Sequence, residues 1–368
     1  MTVAQPRAVA VTRLSLVDVR NHADTLVEVG PGPVVLTGPN GAGKTAILEA
    51  LSLLAPGRGL RGAALAEVAR ADGPGGFAVA ARLAAGDAPA IELGTGTRAH
   101  APERRLARIN GAAAPVAALA GQVAMAWLTP AMDRLLAESA GARRRFLDRL
   151  VLALHPAHGH HAARYEAAMR ERSRLLAEGA RAADPRWLDA LEEQMATHGA
   201  ALAAARLDLL GALAPLLAAT PAPFPAARLE LDDAGCDAPA LAEALAQRRG
   251  RDAAAGRATL GPHRAELRAW HLPSGQSAQR ASTGEQKALL VAVLLAHATL
   301  VAQRRSQRPI LLLDEVVAHL DPERRAALLA RLPRLGQVWM TGTETAPFAP
   351  LAGAASWLRV SGGRLASS

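Results

Sequence analysis

Gly38-Pro39-Asn40-Gly41-Ala42-Gly43-Lys44-Thr45 is the stretch from which the rest of the chain is read. It fits G-x-x-x-x-G-K-[ST], the phosphate-loop pattern. An apolar run, Pro33–Thr37, precedes it and a helical pattern, Ala46–Leu54, follows it. Glycine lets backbone reach conformations closed to other residues and approach a phosphate closely. The free N–H groups of such a loop and of the next helix favour an anion. Lys44 is therefore expected on the β- and γ-phosphates of a nucleotide, and the Thr45 hydroxyl on Mg²⁺. A glycine-rich turn that binds nothing is the plain alternative, and the flanking strand and helix argue against it.

Two segments far downstream extend the reading. Ile310-Leu311-Leu312-Leu313-Asp314-Glu315 is an apolar strand ending in two carboxylates. Asp314 suits a Mg²⁺ ligand, directly or through water. Glu315 suits a general base that polarises an attacking water. Ser282-Thr283-Gly284-Glu285-Gln286-Lys287 opens the helical stretch before that strand. On its own it reads as a capping box, Ser with Glu three residues on. Between a phosphate loop and an acidic strand it stands at the signature position of an ABC-type ATPase. There Ser282, Gly284, Gln286 and Lys287 would close over nucleotide held by a second copy.

Outward from these motifs, composition adds bounds. The chain has 368 residues and a formal charge of +9. Of its 42 basic residues only Lys44 and Lys287 are lysine, and its only asparagines are Asn21, Asn40 and Asn110. The excess of Ala, Arg, Gly and Pro looks like coding bias, so the net charge only mildly favours a polyanionic partner. One cysteine, Cys236, excludes a disulfide framework or a cysteine-ligated zinc site and fits a reducing compartment. The N-terminus does not read as a secretory signal, and no run of about 18 uncharged apolar residues suggests a membrane span. A cytoplasmic protein is expected.

Residues 11–37 read as hairpin-like β structure, 75–110 as short strands forming a second small sheet, and 123–128 as another strand. Residues 132–218 carry apolar positions at helical spacing, with breaks at His155-Pro156, Asp184-Pro185 and Pro221–Pro225. After Leu260 the β-plus-helix pattern resumes with Ala265–Trp270. The expectation is an α/β head from 1–130 plus 255–368 and a helical arm lobe over 131–254. Among lesser features, His155, His158, His160 and His161 fit a polar helix–helix turn better than a metal site. Arg143–Arg145, Arg304-Arg305 and Arg324-Arg325 suit either DNA phosphates or a solvated face. Tyr165 reads as core, and Cys236 as an unreactive thiol.

Together the segments resemble the RecF family of SMC-related ABC-type ATPases of bacterial recombinational repair. The likeness starts at Leu14–Arg20-Asn21-His22 and runs through Gly38–Thr45, Pro56–Arg61 and Ile109-Asn110-Gly111. It continues through Trp127–Asp133, Arg144-Arg145-Phe146-Leu147-Asp148, Tyr165–Leu176 and Gly261-Pro262-His263-Arg264. Ser282–Lys287, Leu311–Glu315, His319-Leu320-Asp321 and Gln337–Thr343 complete it. It covers nearly the whole chain, in order. Departures are Val19 and His22 for aromatics, Ser173 for Asn, Ala265-Glu266 for an acidic pair and Glu285 for Gln. Glu315 stands where many members carry Asp. No switch histidine follows Val338–Met340; Thr341 and Thr343 occupy that region.

The resemblance implies a P-loop NTPase of ABC type with a short helical arm, using ATP and Mg²⁺, with Asp321 in the D-loop. It implies a weak, DNA-dependent ATPase activity serving a clamp. Two copies would dimerise head to head on duplex or gapped DNA in an ATP-dependent way, without sequence specificity and without a membrane partner. It also implies RecR and RecO as partners, and RecA loading downstream, in DNA repair, replication and the SOS response. A transporter ATPase subunit and a non-catalytic DNA-binding scaffold are the competing readings.

Overall fold

The computed structural model describes residues 6–86, 88–178, 184–232, 237–317 and 320–367; Cys236 and His319 lie outside them. The chain divides into two compact units. One comprises Met1–Arg134, Thr220–Ala226 and Ser282–Ser368, the other Leu135–Ala219 and Ala227–Ala281.

The first unit is built on a six-stranded sheet. Its strands are β3 (Val34–Thr37), β8 (Met125–Leu128), β13 (Ile310–Leu313), β14 (Val338–Gly342), β15 (Ser356–Ser361) and β16 (Arg364–Ser367). Their order is β16-β15-β3-β14-β13-β8, parallel except for β16. The sequences VVLT, ILLL and VWMTG are buried throughout. Parallel strands covered on both faces read as such unbroken apolar runs. Because only β14 lies between β3 and β13, the strand before the phosphate loop and the strand before the two carboxylates end on the same edge with one strand between them. Open α/β sheets bind ligands at that carboxyl edge.

A second sheet carries β1 (Arg7–Val19), β2 (His22–Glu28), β4 (Ala78–Ala85), β5 (Ala88–Arg98), β6 (Ala101–Ile109), β7 (Ala112–Ala114) and β12 (Gln307–Arg308). The segments read as a second small sheet, 75–110, lie in this one, which also takes in β1, Leu14 opposite Ala81. Gln337 ties the two sheets together. Its amide accepts from Val11 N–H at 2.8 Å and Trp339 Nε1 at 3.0 Å, and donates to the Val11 carbonyl at 2.9 Å and the Gly30 carbonyl at 3.1 Å.

Helices α1 (Lys44–Ser52), α9 (Thr283–Arg305) and α10 (Pro322–Leu335) flank the strands, with single-turn α2 (Leu65–Val68) and α3 (Leu119–Gln122). Every residue of α9 from Gln286 to Ala298 is buried. Segment 220–226 stays with this unit because Arg324 and Arg331 of α10 donate to the carbonyls of Pro223, Pro221 and Ala222.

The second unit contains α4 (Ala140–Leu154), α5 (His158–Ala177), α6 (Pro185–Ala218), α7 (Ala238–Gln247) and α8 (Arg249–Ala255). The helix breaks fall where the sequence signals them. By length and hydropathy alone α6 and α9 would pass as membrane spans. The apolar window of α9 is 83% buried within the protein, and α6 carries Glu192 in a buried ion pair and Arg206 in a half-buried one. The unit is not all helical. Strands β9 (Ala227–Asp232), β10 (Glu266–His271) and β11 (Gln276–Ser277) form a three-stranded antiparallel sheet in it. The stretch 255–281, expected in the head, lies here, because β10 pairs with β9, Leu267 opposite Leu231.

A polar web runs through this unit's core. Fully buried Arg172 pairs with Glu192 at 2.9 Å and Asp252 at 2.7 Å, and donates to the Leu245 carbonyl. Arg206 and His158 both engage Asp148. Tyr165, expected in the core, is buried, and its hydroxyl lies 2.7 Å from His263 Nδ1.

Candidate nucleotide site

The phosphate loop joins β3 to α1, and three of its glycines carry the conformational demand. Gly38, Gly41 and Gly43 have φ of 148°, 78° and 112°. A Cβ on Gly38 would lie 2.1 Å from the Val360 carbonyl oxygen, and one on Gly43 would lie 2.6 Å from His22 Nε2. No other residue type fits either place. The loop is braced from behind by the β1–β2 turn. Asn21 Nδ2 donates to the Ala42 carbonyl at 3.1 Å, and His22 Nε2 lies 3.1 Å from the Gly43 carbonyl. A carbonyl only accepts, so His22 Nε2 carries the proton; its Nδ1 lies 3.0 Å from Thr25 Oγ1. Burial pulls the His22 ring below the ordinary histidine value.

Lys44 is 4% exposed, and its ammonium donates to the carbonyls of Gly38 at 2.7 Å and Pro39 at 2.9 Å. The charge is thus held inside the curl of the loop, where a phosphate would arrive. Burial lowers the Lys44 pKa, while Glu315 and Asp314 act to raise it. Thr45, the next residue, donates from Oγ1 to Asp314 Oδ1 and Oδ2 at 2.9 and 3.1 Å. The two residues assigned to Mg²⁺ are therefore in direct contact across 269 positions of sequence. Among the described residues no cluster of three His, Cys, Asp or Glu could hold a metal. One hydroxyl beside one carboxylate fits a Mg²⁺ that takes its other ligands from phosphate and water.

Glu315 follows Asp314 with φ of 53°, left-handed for a residue with a side chain. Such a backbone costs about 1–2 kcal/mol. It turns the chain away from β13 and leaves Glu315 partly exposed beside the loop. Buried Thr341, at the end of β14, secures the turn. Its hydroxyl donates to Asp314 Oδ1 at 2.7 Å and accepts from Glu315 N–H at 2.9 Å.

The signature segment opens α9. Ser282 caps α9 in a closed box: its N–H and Oγ each lie 2.8 Å from Glu285 Oε2, and Glu285 N–H donates back to Oγ at 3.3 Å. Gly284 lies in the first turn, and Gln286 and Lys287 are buried. Lys287 Nζ sits 3.2 Å from Asp133 Oδ2, which ties α9 to the segment after β8. That gives the second lysine the physical role its position alone did not reveal. Asp321 caps α10, accepting from Arg324 N–H at 2.9 Å.

Some basic residues offered as DNA contacts have other partners. Arg143 is buried; it donates to the carbonyls of Leu267, Leu136 and Glu138 and pairs with Glu266. Arg144 donates to the Ala265 carbonyl at 2.7 Å. These two are structural; only Arg145 of the trio is exposed. Arg305 and Arg325 also donate to backbone carbonyls. The histidine run behaves as a polar helix–helix seam: His155 meets Asp208, His158 meets Asp148 and His161 meets His198 of α6.

Comparison with known proteins bears on family and fold. The family described as "RecF/RecN/SMC N terminal domain" matches residues 10–345. DNA replication and repair protein RecF of Rhizobium rhizogenes is 49% identical, over 99% of this chain and 100% of its own. The chain belongs to the RecF family. RecF of Brucella suis is 48% identical, over 98% of this chain and 97% of its own. A solved structure of the recombination mediator protein RecF with ATP, in the RecFOR pathway, superposes with a TM-score of 0.84. It covers 98% of this chain and 100% of its own at 19% identity, so the likeness shows the fold. The Smc head domain of Pyrococcus furiosus superposes at 0.54, covering 98% of this chain and 96% of its own at 13% identity. The RecF fold is an ABC-type ATPase head, as the phosphate loop and acidic strand predict. Membership in a family of DNA replication and repair proteins removes the transporter reading.

Proposed function

We propose that this RecF-family protein binds Mg·ATP at Gly38–Thr45 and acts as an ATP-dependent DNA clamp in replication and repair. One observation carries the reading: the Thr45 hydroxyl rests on the Asp314 carboxylate, with Glu315 next to it at the mouth of the loop. In this reading Lys44 and the loop N–H groups hold the phosphates, while Thr45 and Asp314 hold Mg²⁺. Glu315 accepts a proton from the attacking water. Ser282 and Gly284 of a second copy cover the nucleotide, whereas Gln286 and Lys287 are buried within their own copy and leave that role to them; Asp321 lies in the D-loop of the same dimer. The dimer clasps duplex or gapped DNA through salt-sensitive phosphate contacts. Slow hydrolysis then releases it. RecR and RecO are the proposed partners, with RecA loading as the downstream result, in the cytoplasm.

Sizing the protein with and without Mg·ATP and a gapped duplex tests this. Dimer formed only with Mg·ATP, and retained on DNA by Glu315→Gln, is expected. Lys44→Met should abolish both effects. A monomer at saturating Mg·ATP overturns the clamp.

A further inference from the structure

We propose that Thr341 is a positioning residue that relays the state of the phosphate loop to Glu315. The inference rests on the reading of Glu315 as the base of ATP hydrolysis. A threonine hydroxyl has one proton to give and two lone pairs. Here the proton goes to Asp314 Oδ1 at 2.7 Å, and a lone pair takes the Glu315 N–H at 2.9 Å. From the other side Thr45 Oγ1 donates to the same carboxylate, at 2.9 Å to Oδ1 and 3.1 Å to Oδ2. A continuous chain thus runs from the first turn of α1, through Asp314 and the Thr341 hydroxyl, to the backbone of Glu315.

The chain ends on a strained residue. Glu315 sits at φ 53°, and its N–H is held there by the Thr341 hydroxyl at 2.9 Å. A left-handed backbone at a residue with a side chain persists when its surroundings over-determine it. Any rotation of the Asp314 carboxylate toward a cation must move the acceptor of the Thr341 proton. The same hydroxyl oxygen holds the Glu315 peptide, so that peptide responds. Thr341 is fully buried on the strand between β3 and β13, so water does not compete for its hydroxyl in the middle of the relay. No histidine follows Val338–Met340 in this chain, and Thr341 occupies that region.

The test compares wild type, Thr341→Ser and Thr341→Val. Valine keeps the shape and removes both donor and acceptor, whereas serine keeps both. Amide exchange is read at Glu315 in nucleotide-free protein, with Leu311–Leu313 as the internal control for a folded strand. Single-turnover ATP hydrolysis and nucleotide affinity are read beside it. Valine should speed exchange at Glu315 about tenfold or more and slow turnover by a similar factor. Its nucleotide affinity should change less than its turnover, and serine should match wild type within about threefold. Retention of both protection and turnover in the valine variant overturns the relay, as does a serine variant as impaired as valine. Wild-type protein that hydrolyses no ATP would instead overturn the proposed function, and the exchange measurement would still decide the role of the Thr341 hydroxyl.

Discussion

Replacing Lys287 by Met tests an ion pair that anchors the signature helix. Lys287 Nζ lies 3.2 Å from Asp133 Oδ2, with side chains 7% and 28% exposed. At an effective dielectric of about 20, two unit charges at that spacing attract by about 5 kcal/mol. Desolvating a nearly buried ammonium offsets much of that gain. A charge-assisted hydrogen bond therefore leaves about 1.5–3 kcal/mol. Lys287→Met should cost that amount, and Asp133→Asn somewhat less, because Asn can still accept from the ammonium. Urea unfolding read by tryptophan fluorescence measures it, since Trp127, Trp339 and Trp357 all belong to the first unit. The double variant supplies the coupling, expected at about 1–2 kcal/mol. If the two losses add within about 0.5 kcal/mol, the pair is not an interaction and the reasoning fails.

Further outcomes follow from the same geometry. Gln337→Leu should destabilise the first unit by about 2–4 kcal/mol, since Val11 N–H, the Val11 carbonyl and Trp339 Nε1 all lose their partner; an unfolding midpoint equal to wild type would contradict this. Gly43→Ala should abolish nucleotide binding while leaving the fold, because φ of 112° and a clash with His22 distort only the loop; calorimetric titration with Mg·ATP reads it. His22 is depressed below its ordinary pKa by burial, so the unfolded chain binds the extra proton first. Stability from this group is therefore complete above an ordinary histidine pKa of about 6.5 and is lost as pH falls below it toward the folded value. His22→Phe should flatten that part of the acid side of the stability profile, and an unchanged profile would show that His22 is not its source.

How much was legible in the sequence divides by how far apart the interacting residues lie. The phosphate loop, the acidic strand end and the Ser282 cap are contiguous patterns, each set by backbone needs that a few neighbouring residue types meet. They fix the fold class and most of the candidate site. Helix breaks at Pro156, Pro185 and Pro221 were readable for the same reason, since proline acts locally. The end of the second unit was not, because β10 could pair with any sheet until its register with β9 chose one.

What only the tertiary structure decided is the set of partners. Asn21 and His22 have no assigned role in the sequence until they meet the loop carbonyls. Arg143 looks like a DNA contact until it is found donating to the Leu267 carbonyl, 124 positions away. Lys287 has no evident purpose without Asp133, and Thr341 none without Asp314 and Glu315. A motif records what one segment must be; a hydrogen bond between distant segments leaves in each only a common residue type, with nothing local to mark it. By itself, then, the sequence determined that this chain has a phosphate loop, a pair of acidic groups and a capped helix. The fold determined which hydroxyl, amide and ammonium hold them in place.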